Sequence, residues 1–154
     1  MTVTRASLRK AVPITAPVPM TVLPARVWTS AQWERVKVGY RAQGMDEKWN
    51  VFVEGPVAFV HRSWTGHGIF EASFAPAGGG WRIHAAVVES DPGRARHVSG
   101  QFSCVLLELV LSAIVLGEPA ADLRAELVRF SSPPDQPAPP DGLIEHSILG
   151  LRSG

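Results

Sequence analysis

The chain is expected to adopt an α+β fold: a four-stranded antiparallel β-meander packed against one long apolar helix, with a short helix before it. Three observations point there. Between Lys48 and Glu89, apolar runs with two-residue alternation are separated by turn chemistry at Gly55-Pro56, Thr65-Gly66 and Gly78-Gly79-Gly80. Those connections are too short for the crossovers that parallel strands need, so neighbouring strands must run antiparallel. Phe102 to Leu116 is then almost wholly apolar, which suits a helix buried on most sides.

Residues 1–18 hold few large apolar side chains and several prolines, and read as a flexible leader. Residues 19–130 read as one α+β domain. Met20 to Trp28 leans toward β structure and runs into Thr29-Ser30, where either hydroxyl can cap a helix. That helix is expected over Ala31 to Gln43, with Trp33, Val36 and Tyr40 on one face and Gly44 as its stop. The strands are expected at Lys48–Glu54, Val57–Arg62, His67–Phe74 and Trp81–Glu89. Alternation places Trp49, Val51 and Val53 opposite Lys48, Asn50, Phe52 and Glu54. In the last strand it places Trp81, Ile83, Ala85 and Val87 opposite Arg82, His84, Ala86 and Val88. The apolar helix is expected from about Ser99 to Leu116, ended by Glu118-Pro119, and a shorter amphipathic helix from Ala120 to Phe130 follows. Residues 131–141 hold five prolines and read as a linker, and the apolar residues of 142–154 suit a short docking helix.

With 154 residues, one domain fits the length. Net charge is +1, from 15 basic and 14 acidic residues, so the basic footprint of a duplex nucleic-acid binder or an anionic-membrane binder is lacking. The longest apolar run, about 15 residues with Glu108 inside it, is shorter than the roughly 20 that a membrane span needs. A single cysteine, Cys104, cannot form an internal disulfide, and no secretory signal is apparent; a cytoplasmic protein is expected.

Ten of the twelve aromatic residues lie between Trp28 and Trp81, including all five tryptophans. The densest polar and aromatic cluster is His61-Arg62-Ser63-Trp64-Thr65-Gly66-His67. Its guanidinium, hydroxyls and glycine suit an anion, with Trp64 as a stacking face for a ring. The same turn also reads as a tight hairpin whose Ser and Thr bond their own backbone. Lys48 and Phe52 share one side of their strand, and a favourable register would gather Lys48, Arg62, Arg82 and His84 there. The expected ligand-binding set is therefore Lys48, Phe52, Arg62, Ser63, Trp64, Thr65, Arg82 and His84, with Asp46 and Gly66 as structural turn residues. His61 and His84 are the candidates for a general base. Metal-ligand spacings are missing, so neither a metal nor another cofactor is expected. Gly78-Gly79-Gly80 lacks the Lys-Ser/Thr of a phosphate loop and reads as a hairpin.

The run Gly44-Met45-Asp46-Glu47-Lys48-Trp49, followed by His61-Arg62-Ser63-Trp64-Thr65-Gly66, resembles a small bacterial domain family that carries this pair of signatures. The resemblance covers residues 28–90. It implies that Asp46, Lys48, Trp49 and the His61–Gly66 segment belong together, and it supplies no activity; an association of such domains with nucleotide or ADP-ribose metabolism makes those ligands the ones to test. The expectation is a binding or accessory module for an anionic small molecule or an acidic protein segment. The alternatives are a small hydrolase or transferase with a histidine base, and a homodimeric interaction protein without a ligand.

Overall fold

A computed structural model describes residues 2–95, 99–131 and 148–152. Among them the protein is α+β, with a six-stranded antiparallel sheet and three helices. The strands are β1 (Pro17–Pro19), β2 (Trp28–Thr29), β3 (Trp49–Glu54), β4 (Val57–Arg62), β5 (Gly68–Ala77) and β6 (Gly80–Glu89). The helices are α1 (Ser30–Val38), α2 (Gly100–Leu109) and α3 (Ala121–Phe130).

The order β1-β6-β5-β4-β3 contains the expected meander, and both β1 and the short β2 add to the outer side of β6. The sheet therefore has two more strands than the turn signals announce. β1 is Pro-Val-Pro, a sequence tolerated at a sheet edge because proline has no N–H to offer a further strand. The segment expected as a flexible leader runs along the sheet instead of leaving it. Val12 forms a parallel bridge to His67, and the buried Glu89 carboxylate accepts hydrogen bonds from the Thr15 and Ala16 N–H groups at 3.1 and 2.9 Å.

α1 starts where a hydroxyl can cap it: the Thr29 side chain accepts from the Gln32 N–H, and the Gln32 side chain accepts from the Thr29 N–H. It stops five residues short of the expected end. Gly39, at φ +81°, turns the chain so that Tyr40 bridges Val51 of β3, and residues 41–47 become the approach to the sheet. α2 is capped by Ser99, whose side chain accepts from the Phe102 N–H, and spans ten residues. The expected long helix is interrupted at Val110–Val115 by a wider π-helical turn, where the Leu116 N–H reaches back five residues to the Leu111 carbonyl. Both stretches are buried against the sheet, with Leu107, Leu109, Leu111 and Ile114 in the core beside Trp28, Trp49 and Phe70.

Two irregularities decide which side chains face that core. Between Ser73 and Phe74, the partner on β6 skips from Ala85 to Ile83, so His84 and Ala85 are both exposed. The buried large or apolar side chains that β6 turns to the core are thus Ile83, Ala86 and Val88, in place of strict alternation from Trp81 to Val87. Between Val60 and His61 the register skips Ile69, and Ile69 and Phe70 are both buried.

Of the expected linker, residues 132–141 lie outside the described residues, as do residues 142–147, 153 and 154 of the tail. Residues 148–152 dock beside β3, with Ile148 helical and Leu149 in a turn; the rest of the expected docking helix falls outside the described residues. Gly150 bridges Glu47, the Leu151 N–H donates to the Asp46 carbonyl at 2.9 Å, and Leu149 is fully buried.

Candidate functional site: a basic groove and an arginine cavity

The sheet has two faces, and they divide the expected site. Cross-strand pairing sets Trp49 opposite Arg62 and Val51 opposite Val60 on the helix-covered face. Phe52 opposite Phe59 and Asn50 opposite His61 lie on the other. Arg62 and Phe52 therefore point to opposite sides, and the single cationic face expected from the sequence does not form.

Phe52 is fully buried. Its ring stacks on Phe59 at 5.0 Å between centroids, and the Arg5 guanidinium covers both rings at 4.8 and 4.9 Å. Arg5 is itself held by Glu54, at 3.0 and 3.1 Å. This lid leaves Phe52 no surface for a ligand. Beneath it His61 is 2% exposed, with Nδ1 2.8 Å from the Gly66 carbonyl. Burial pushes the His61 imidazole below its ordinary value, which outweighs the opposing pull of that carbonyl, and nearby Arg5 adds to the lowering. Arg82 and His84 are exposed at the far end of β6, where Arg82 pairs with Ala75. The Arg62 end of β4 faces the start of β5. The proposed gathering of Lys48, Arg62, Arg82 and His84 is excluded by this register.

What the turn after β4 does build is a groove of about 430 Å³. One wall comes from Arg9 and Lys10, a second from Arg41 and Ala42, and a third from Ser63 and Trp64, with Met45 at the rim. Its lining carries three cations and no carboxylate. Trp64 is 58% exposed, and the Lys48 ammonium lies 4.2 Å from the centre of its ring. The Ser63 hydroxyl donates to the Glu47 carbonyl at 2.7 Å, and the Ser63 N–H donates to the Lys48 carbonyl at 2.9 Å, tying this turn to the Asp46 turn. Thr65 accepts from the His67 N–H, a local turn bond. Gly66 is needed for its conformation, since at φ +77° a Cβ there would lie 2.5 Å from the Lys10 Cβ.

On the opposite face lies a cavity of about 240 Å³ between the sheet and α2. Arg62 and Arg94 line it, with Ser103 as the third polar residue and Trp49, Phe70, Phe102 and Leu106 among its apolar walls. The Arg62 guanidinium sits 4.7 Å from the Trp49 ring centre and donates to the Ile148 carbonyl at 3.1 Å; the Trp49 Nε1–H donates to the same oxygen at 3.0 Å.

Of the residues expected from the sequence, Ser63 and Trp64 line the groove, Lys48 lies over the Trp64 ring beside it, and Arg62 lines the cavity. Sequence reasoning missed Arg9, Lys10, Arg41, Arg94 and Ser103. Only the adjacent pair Arg9-Lys10 carried a local signal, a small cationic run in a segment read as leader.

Among the described residues, no group of three or more His, Cys, Asp or Glu side chains converges in a way that could hold a metal ion. No helix among them is long and apolar enough to cross a membrane. Compared with known proteins, the chain matches no family model, no curated protein and no solved structure.

Proposed function

We propose that the protein is a binding module for an anionic small molecule carrying a planar ring, of nucleotide or ADP-ribose type, held in the groove beside Trp64. The observation that carries this reading is the pairing of an exposed indole with three lining cations and no lining carboxylate. The ring would stack on Trp64, while Arg9, Lys10 and Arg41 would neutralise phosphates or carboxylates. A volume of about 430 Å³ falls within the roughly 300–1,000 Å³ usual for small-molecule sites. Met45, 75% exposed at the rim, favours a second reading in which an acidic protein segment occupies the same groove.

Trp64 provides the readout, because Trp28, Trp33 and Trp49 are buried and Trp81, partly buried, stacks on Trp33. Titration with AMP, ADP, ADP-ribose and pyrophosphate should change tryptophan emission for the ring-bearing ligands and raise the melting temperature by mass action. Trp64→Phe should remove the emission change, and Arg41→Gln should weaken binding. Absence of both an emission change and a thermal shift at millimolar concentrations would refute the small-molecule reading.

A further inference from the structure

The geometry points to a second, separate site: the cavity between the sheet and α2 takes a compact organic carboxylate with an apolar body. Two permanent cations line an otherwise largely apolar space. Among the described residues, Arg62 donates only to the Ile148 carbonyl, which leaves most of its five N–H groups without a protein acceptor, and no carboxylate pairs with it. Burial pushes the Arg62 guanidinium below its ordinary value. Among the described residues, Arg94 pairs with Asp91 through Nε at 3.8 Å, and its buried Nη1 has no hydrogen-bond partner.

A buried guanidinium N–H without an acceptor is costly, and an incoming carboxylate supplies what is missing: two oxygens matched to the planar fork. The walls set the rest of the ligand. Trp49, Phe70, Phe102 and Leu106 favour an aliphatic chain or a single ring over a sugar phosphate. The volume, about 240 Å³, is below the usual small-molecule range, so the body must be compact. The Ser103 hydroxyl provides one more polar contact at the wall.

This site shares no lining residue with the groove, so the two readings stand or fall separately. The test is a thermal-shift and calorimetric titration of the full chain with hexanoate and phenylacetate, alongside their neutral isosteres hexanamide and phenylacetamide. The acids should bind saturably and raise the melting temperature, and the amides should do neither. Arg94→Gln changes a side chain at the rim of the cavity and should weaken the acids at least about tenfold, the loss expected for a charge-assisted contact. Ser103→Leu should fill the space and block binding in a protein that still melts cooperatively. Trp64→Phe should leave the acids' affinity unchanged. The proposal is overturned if folded wild-type protein binds neither acid at millimolar concentration, if acids and amides bind alike, or if Arg94→Gln and Ser103→Leu bind like wild type. Loss of binding in Trp64→Phe would also overturn it, by assigning the acids to the groove.

Discussion

Replacing Gly66 with alanine tests whether the N-terminal segment is part of the fold. Gly66 sits at φ +77°, a conformation that costs an L-residue about 1–2 kcal/mol. The added Cβ would also lie 2.5 Å from the Lys10 Cβ and 2.8 Å from the Lys10 carbonyl oxygen, closer than Cβ atoms come in real proteins. The Lys10 segment must retreat, and the two bonds that pin it are then strained: Val12 N–H to the Gly66 carbonyl and Gly68 N–H to the Val12 carbonyl, both 2.8 Å. At about 0.5–1.5 kcal/mol for each bond, the expected total loss is about 2–5 kcal/mol. Gly78→Ala is the control. Gly78 has φ +55° in the tight β5–β6 turn and no atom within 4 Å of an added Cβ, so only the conformational cost of about 1–2 kcal/mol applies. Urea unfolding of both variants measures the difference, and hydrogen exchange at the Val12 and Gly68 amides locates it. Equal losses for the two variants, with both amides protected as in wild type, would refute the reasoning.

Two further outcomes follow from buried titratable groups. The folded state depresses the His61 pKa, so it favours the neutral imidazole; the associated stability is fully present above the unfolded value near pH 6.5 and is lost as pH falls through the folded value. Urea midpoints measured from pH 8 to pH 5 should fall in wild type and fall less in His61→Gln; parallel profiles would argue against it. Burial, with Glu108 and Glu126 nearby, pushes the Cys104 thiol up to about 11, so its alkylation by iodoacetamide at pH 8 should be roughly one-hundredfold slower than that of a free thiol. Urea should restore the ordinary rate, and fast labelling of the folded protein would contradict the burial.

Local signals carried far into the fold. Thr29-Ser30 marked the start of α1, Gly55-Pro56 and Gly78-Gly79 marked two hairpins, and alternation correctly set Trp49 and Val51 on one side of β3 with Phe52 on the other. What stayed hidden was non-local. β1, two-thirds proline, carries a weak strand signal and exists because β6 offers it an edge, and the bulge at His84 depends on how β5 lies against β6. The same holds for the sites. Trp64 and Arg62 stood out because the turn is chemically dense, but Arg41, Lys10 and Arg94 come from loops whose destination no spacing encodes. The parity of β4 already placed Arg62 with Val60 and Ala58, whereas bringing it beside Phe52 required a register that the paired strands do not have.

The turn after β4 is clasped by two segments far apart in sequence. Residues 8–12 press on Gly66 from one side, and residues 148–152 bind Trp49, Arg62 and Asp46 from the other. Contacts of such long sequence separation close slowly, because chain entropy must be lost before any of them stabilises the corner. The groove uses the first clasp and the cavity the second, so both become competent only when this corner of the molecule has assembled. Ligand binding at either place would then report the completion of folding, with no response from a chain that had formed its hairpins alone.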